Sequence, residues 1–113
     1  MDDDPGFRAV ARDLLTRDGY EVVGEAADGE SAVALAASLD PDIALVDVVL
    51  PGIDGFAVCD RLAASSPDRP AVVLTSTRAA TAYPTRLALS TARGFLAKSD
   101  LSGAALAALT EPP

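Results

Sequence analysis

Basic residues are scarce in this chain. Nine Lys and Arg stand against 17 Asp and Glu, for a formal net charge of −8 and a pI near 4.2. That balance excludes autonomous binding to DNA, RNA or an anionic membrane, each of which needs a basic face. Eight of the nine bases are Arg, and Lys98 is the only lysine. There is one cysteine, Cys59, so no internal disulfide can form. Its spacing from Phe56 and Leu62 puts it on the inner face of a helix as a small core residue. Aromatic residues make up 4% of the chain while half of it is apolar, so the core must be built from Ala, Val and Leu, as suits helices laid over a sheet. No apolar run approaches the about 18 residues of a membrane span, and no basic-then-apolar signal segment opens the chain. The cytoplasm is the expected location.

What is present is a regular alternation. At 113 residues the chain is the size of one domain with one core. Asp4-Pro5 reads as an N-cap with proline at the first helical position, and Phe7, Val10, Ala11, Leu14 and Leu15 form a helical stripe that ends before Gly19. The Val-rich segment 20–26 predicts a strand, and Asp28 a cap for a helix carrying Ala32, Val33, Leu35, Ala36 and Leu39. Ile43 to Asp47 is a short apolar run between Asp40-Pro41-Asp42 and Pro51-Gly52, which predicts a strand covered on both faces. Asp54-Gly55 opens a helix through Phe56, Cys59, Leu62 and Ala63, stopped by Ser65-Ser66-Pro67-Asp68 ahead of a strand over 71–75. The segment 78–91 contains Pro84, which costs about 3 kcal/mol inside a helix, so a late start or a break is expected there. A short strand over 94–97, a helix over 102–109 and a frayed tail at 111–113 complete the chain. No repeat, linker or low-complexity segment suggests a second domain, so residues 1–113 are expected to be one α/β unit with right-handed crossovers and a parallel sheet between two helical layers.

The polar residues fall at the strand ends. In such sheets ligand chemistry sits at the carboxyl ends of the strands. Asp47 ends one strand, Thr75 and Ser76 end the next, and Lys98 ends the last. Asp4 is assigned to helix capping, which leaves Asp2 and Asp3 at the same rim as Asp47. Three carboxylates there would repel one another unless a cation sat among them. A hard divalent ion such as Mg2+ fits, because it accepts one or two carboxylates, a carbonyl and several waters, and leaves a position for a phosphoryl oxygen. A metal, an ammonium and a hydroxyl around one carboxylate are what in-line phosphoryl transfer to Asp47 would need.

These residues, in this order, resemble the receiver domain of two-component response regulators (the CheY-like family), and the resemblance covers nearly the whole chain. It rests on Asp2-Asp3-Asp4-Pro5, on Asp47 with Pro51 and Asp54-Gly55, on Thr75-Ser76 five residues after Pro70, and on Gly94-Phe95-Leu96-Ala97-Lys98. It implies a flavodoxin-like, doubly wound three-layer fold. It further implies Asp47 as phosphoacceptor, Asp2 and Asp3 as the acidic pair, the Val49 carbonyl as a further Mg2+ ligand, Thr75 as switch hydroxyl, Phe95 as switch aromatic and Lys98 as the site lysine. The expected function is to accept a phosphoryl group from a sensor histidine kinase or phosphotransfer protein and to switch a downstream protein or output domain. It is that of a signalling module, not of a metabolic enzyme.

Two departures carry expectations of their own. The family places an apolar strand immediately before the acidic pair, and Met1 stands where its last residue belongs. The first strand, central in the family's 2-1-3-4-5 order, is therefore expected to be missing, leaving four. Met1 reads as a start assigned too late, and the gap as closed by non-native pairing, strand exchange or a homodimer. The second departure is Ser99 after Lys98, where the family has proline in a cis bond; serine disfavours cis and so aims Lys98 differently. The competing reading is a pseudo-receiver, an interaction module that works without phosphorylation. An aspartyl phosphatase is opposed by Val49, which stands where such enzymes carry a second Asp.

Overall fold

The computed structural model describes residues 1–66 and 68–111. The Pro67 stop signal and the last two residues of the expected frayed tail lie outside the described residues. The elements run α1 (Pro5–Arg17), α2 (Gly29–Leu39), β1 (Ile43–Asp47), α3 (Gly55–Ser65), β2 (Ala71–Ser76), α4 (Pro84–Leu89), β3 (Gly94–Ala97) and α5 (Gly103–Thr110). The three strands form one parallel sheet in the order β1-β2-β3. Ile43 to Asp47 pair residue by residue with Ala71 to Thr75.

Alternation along the strands divides the core in two. Ala44, Val46, Val72 and Leu74 face α2 and α3, where they meet Ala32, Ala36, Val58, Cys59 and Leu62. Leu45 and Val73 face the other way, toward Leu15 of α1 and Leu106 of α5. Both faces of β1 and β2 are therefore covered, which is why these strands read as unbroken apolar runs.

The helices begin where the sequence marks them. The carboxylates of Asp4, Asp28 and Asp54 accept from Gly6, Ser31 and Ala57 amides, and the Ser102 hydroxyl accepts from Ala105. Pro84 supplies the late start expected in segment 78–91, since it stands at the first turn of α4. Cys59 is buried in the core, as its spacing implied, with Sγ 3.4 Å from the Thr91 hydroxyl. Ser76 extends β2 by one residue beyond Thr75.

One expected element is missing. Segment 20–26 forms no strand, so the sheet has three strands among the described residues where four were expected. Its Val residues supply strand propensity, but a strand also needs a partner. The space between this segment and β1 is instead a slot of about 470 Å³. Met1 and Asp2 line it and bond across it. The Met1 ammonium donates to the Leu45 carbonyl (3.0 Å) and the Met1 carbonyl accepts from the Asp47 amide (2.9 Å). On the opposite side the Asp2 amide donates to Ala26 O at 2.9 Å. Two residues thus make the bonds of a central parallel strand, one to each neighbour. No non-native pairing closes the slot among the described residues.

Candidate functional site: an acidic cluster at the carboxyl end of the sheet

Asp47 leaves β1 at the rim, and the chain then turns tightly toward α3. The Gly55 amide donates to Val48 O at 2.9 Å, and a Cβ on Gly55 would run into the Asp47 carbonyl. Glycine is what lets α3 begin this close to the acid. Gly52, with φ of 80°, takes the left-handed turn in the loop between them.

Three carboxylates meet at this rim. Oxygens of Asp2, Asp3 and Asp47 lie within 4.8 Å of one another. Asp2 and Asp47 are only 2% and 6% exposed, whereas Asp3 is open to solvent. Lys98 reaches in from the end of β3, in a 3-10 turn at Lys98–Asp100. Its Nζ lies 2.6 Å from Asp2 Oδ2 and donates to Asp47 Oδ2 at 3.0 Å. The ring of Phe7 lies beneath the ammonium, 4.5 Å from Nζ to centroid. Lys98-Ser99 is not a cis bond, the single cis peptide among the described residues being Arg69-Pro70. The serine was expected to aim Lys98 differently; in the structure the lysine reaches both acids.

Burial and pairing pull against each other here. Burial raises the Asp47 pKa; the Lys98 and Val49 hydrogen bonds work to lower it, the Asp2 charge adds to the rise, and the net result lies above the ordinary carboxylate value. For Lys98, burial lowers the pKa, but its contacts with Asp2 and Asp47 and their charges outweigh it and hold the ammonium above its usual value. Burial of the carboxyl accounts for the first direction, and one cation between two acids for the second. The arrangement holds a protonated lysine firmly and leaves the acids short of positive charge.

The residues fit a hard divalent cation. Asp2 Oδ2 is buried and touches Lys98 as an ion pair, yet it has no aligned hydrogen-bond donor. Its other oxygen accepts from the Asp4 amide at 2.9 Å, and Arg8 fixes the Asp2 carbonyl at 2.6 Å. An oriented carboxylate with an open acceptor position beside two further carboxylates is an all-oxygen donor set.

The remaining expected residues divide. Thr75 is 1% exposed and pairs directly across from Asp47, so register sets the two side by side. Val49 contributes its amide, which donates to Asp47 Oδ1 at 3.2 Å, while its side chain faces solvent. Phe95 is not at the cluster; it packs on the α2/α3 side with its ring 6.4 Å from that of Tyr83. Tyr83 was missed in the sequence. It stands between Phe56 and Phe95, and its hydroxyl is 3.2 Å from that of Ser76, next to Thr75. The one signal for it was an isolated aromatic just before Pro84. Phe7 was read only as part of a helical stripe.

The geometry agrees with the comparisons. The family model for the response regulator receiver domain matches residues 1–109. The response regulator GacA of Pseudomonas viridiflava is 37% identical over 102 residues, 90% of this chain and 45% of that protein. The transcriptional regulatory protein TcrA of Mycobacterium tuberculosis is 41% identical over 81 residues, 72% of this chain and 32% of that protein. The chain thus spans less than half the length of these curated relatives. Among solved structures, the signal receiver domain of the response regulator NarL from Mycobacterium tuberculosis superposes with a TM-score of 0.83 at 33% identity, covering 98% of this chain and 93% of that one. A response regulator from Burkholderia pseudomallei, solved with a phosphorylated aspartic acid, a calcium ion and citrate, gives 0.82 at 26% identity, covering 97% and 64%. The chain belongs to the response regulator receiver domain family, a signalling module of two-component systems and not a catalytic one. No helix among the described residues is long and apolar enough to cross a membrane.

Proposed function

We propose that residues 1–113 act as one receiver unit that takes a phosphoryl group on Asp47 from a sensor histidine kinase or phosphotransfer protein. The observation that carries this reading is the Lys98 ammonium seated between the buried carboxylates of Asp2 and Asp47, one strand away from the Thr75 hydroxyl. In the transfer, the P–N bond of a phosphohistidine breaks with its electron pair left on the imidazole, and a P–O bond forms to an Asp47 carboxylate oxygen. Lys98 and the Val49 amide favour the Asp47 anion that burial disfavours. Asp2, Asp3, Asp47 and the Val49 carbonyl are the residues that would hold Mg2+, which when bound supplies charge neutralisation to the phosphoryl oxygens. Lys98 then pairs with one of those oxygens, and Thr75 donates its hydroxyl to another.

The switch runs through the residue next to Thr75. A Thr75 hydroxyl drawn toward the phosphoryl group pulls the end of β2, and Ser76 and Tyr83 carry the movement to Phe95. The face around α4, β3 and α5 is thereby offered to a downstream protein or output domain. A cytoplasmic setting goes with the kinase partner. The relative with a phosphorylated aspartic acid supports the same chemistry here.

The pseudo-receiver reading has one observation in its favour: Lys98 already pairs with both Asp2 and Asp47, and Asp2 is held beside a slot that no strand among the described residues fills. Incubation with acetyl phosphate or beryllofluoride plus Mg2+ separates the two. The expected result is a labile phosphoryl group, absent in Asp47→Asn, with chemical-shift changes at Thr75, Tyr83 and Phe95. Neither adduct nor shift would leave the interaction module as the function.

A further inference from the structure

An aromatic ring lies against the cation of the acid cluster. The centroid of Phe7 is 4.5 Å from the Lys98 Nζ. Packing alone would explain an apolar residue here, since Phe7 is half-buried at the head of a stripe that continues through the buried Ala11 and Leu15. Any aliphatic side chain would serve that purpose. The ring meets an ammonium instead, on a side chain only 14% exposed. An aromatic face attracts a partly desolvated ammonium, which an aliphatic surface does not.

The first turn of α1 carries both Phe7 and Asp2 as one rigid piece. The Asp4 amide holds Asp2 Oδ1 at 2.9 Å, and the Arg8 guanidinium holds the Asp2 carbonyl at 2.6 Å. Asp4 in turn accepts from the Gly6 amide with its carboxylate (2.9 Å) and from the Arg8 amide with its carbonyl (3.0 Å), on either side of Phe7. One helical turn thus offers Lys98 a carboxylate and a ring in fixed relation. The lysine itself arrives on a flexible four-carbon stem from the end of β3, two strands away from Asp47. Among the described residues its one aligned hydrogen bond is to Asp47, and its approach to Asp2 is an ion pair. A point charge between two acids is free to shift toward either, and the ring narrows that freedom by adding a third point of attachment.

The attachments differ in what an incoming phosphoryl group does to them. A carboxylate competes with phosphoryl oxygens for the ammonium's N–H groups, whereas a ring face attracts the charge without taking a place among the oxygen acceptors. We propose that Phe7 is a positioning residue for Lys98, its ring keeping the ammonium beside Asp47 while the hydrogen bonds pass from carboxylate to phosphoryl oxygen. This role rests on the phosphoacceptor reading of Asp47. It makes the rate of transfer depend on the electrons of a ring in α1 and not only on its bulk.

The test uses the full chain with acetyl phosphate and Mg2+ and three variants at position 7: Phe7→Leu, Phe7→Tyr, and a ring-trifluorinated phenylalanine of nearly the same shape whose face has lost its negative charge. Phe7→Leu and the fluorinated ring are expected to slow phosphorylation of Asp47 by about fivefold, and Phe7→Tyr to keep the parent rate. In protein made with isotope-labelled lysine, Lys98 gives the one lysine signal. Its ε-methylene resonance is expected upfield in the parent, under the ring current, and to move back in Phe7→Leu. Equal rates for the parent and the fluorinated variant would overturn the role of the ring and leave Asp47 as the acceptor. So would a methylene signal indifferent to Phe7→Leu. A parent that takes up no phosphoryl group would overturn the phosphoacceptor reading and the positioning role with it, even with the methylene shift in place.

Discussion

The two flanks of β1 are made of similar residues and have different fates. Toward β2, five consecutive residues pair in register, and Val73 and Leu74 are completely buried. Toward segment 20–26, an equally Val-rich stretch leaves Val23 half exposed and makes no sheet beyond the bonds at Met1 and Asp2. The difference teaches that strand character is conferred by the neighbour as much as by the sequence. The acid cluster sits on the seam between a finished half-sheet and an unfinished one: Asp47 and Thr75 belong to the first, and Asp2 and Asp3 to the second.

The comparison can be broken at several points. The largest effect is expected at the seam itself. Lys98→Met removes the one cation between Asp2 and Asp47 and should cost about 3–5 kcal/mol in urea unfolding, because it leaves two buried acids unpaired. A loss below 1 kcal/mol would mean that solvent already screens the cluster. Next, Leu74→Ala on the paired flank should cost about 2–5 kcal/mol, whereas Val23→Ala on the unpaired flank should stay within about 0.5 kcal/mol. Comparable losses at the two positions would erase the distinction between the flanks.

The smallest effect is electrostatic. Lys98 has a folded pKa above its usual value, so its contribution to stability is fully present below the unfolded-state pKa of 10.5 and is lost as pH rises through the higher folded value. Asp47 behaves in the opposite sense: its raised pKa means that the ionised acid costs stability, a cost relieved as pH falls through that raised value. Asp47→Asn should therefore be slightly more stable than the parent at neutral pH by thermal melting. A lower Tm would show the Lys98 bond outweighing burial.

Much of the paired flank was legible in the sequence. Asp40-Pro41-Asp42 and Pro51-Gly52 punctuate β1, and Pro, Gly or Ser mark the limits of the other two strands, so Asp47, Thr75 and Lys98 could be placed at strand ends by local signals. The acid pair was legible because Asp4-Pro5 caps a helix and so fixes where Asp2 and Asp3 must stand. Segment 20–26 was misread for the reason the two flanks differ, since pairing is a long-range property that Val content cannot report. Tyr83 was illegible because its role depends on Phe56, Ser76 and Phe95, which converge on it from three other places in the chain. Phe7 was read as part of a helical stripe, and only the reach of Lys98 back to α1 shows it beneath an ammonium.

Lys98 is the single lysine of residues 1–113. Its amine bridges the two buried acids at the rim. An acylating or isotopically tagged reagent for lysine side chains therefore has no second lysine to modify in these residues. Its rate of reaction becomes a direct gauge of whether the rim is shut or phosphorylated.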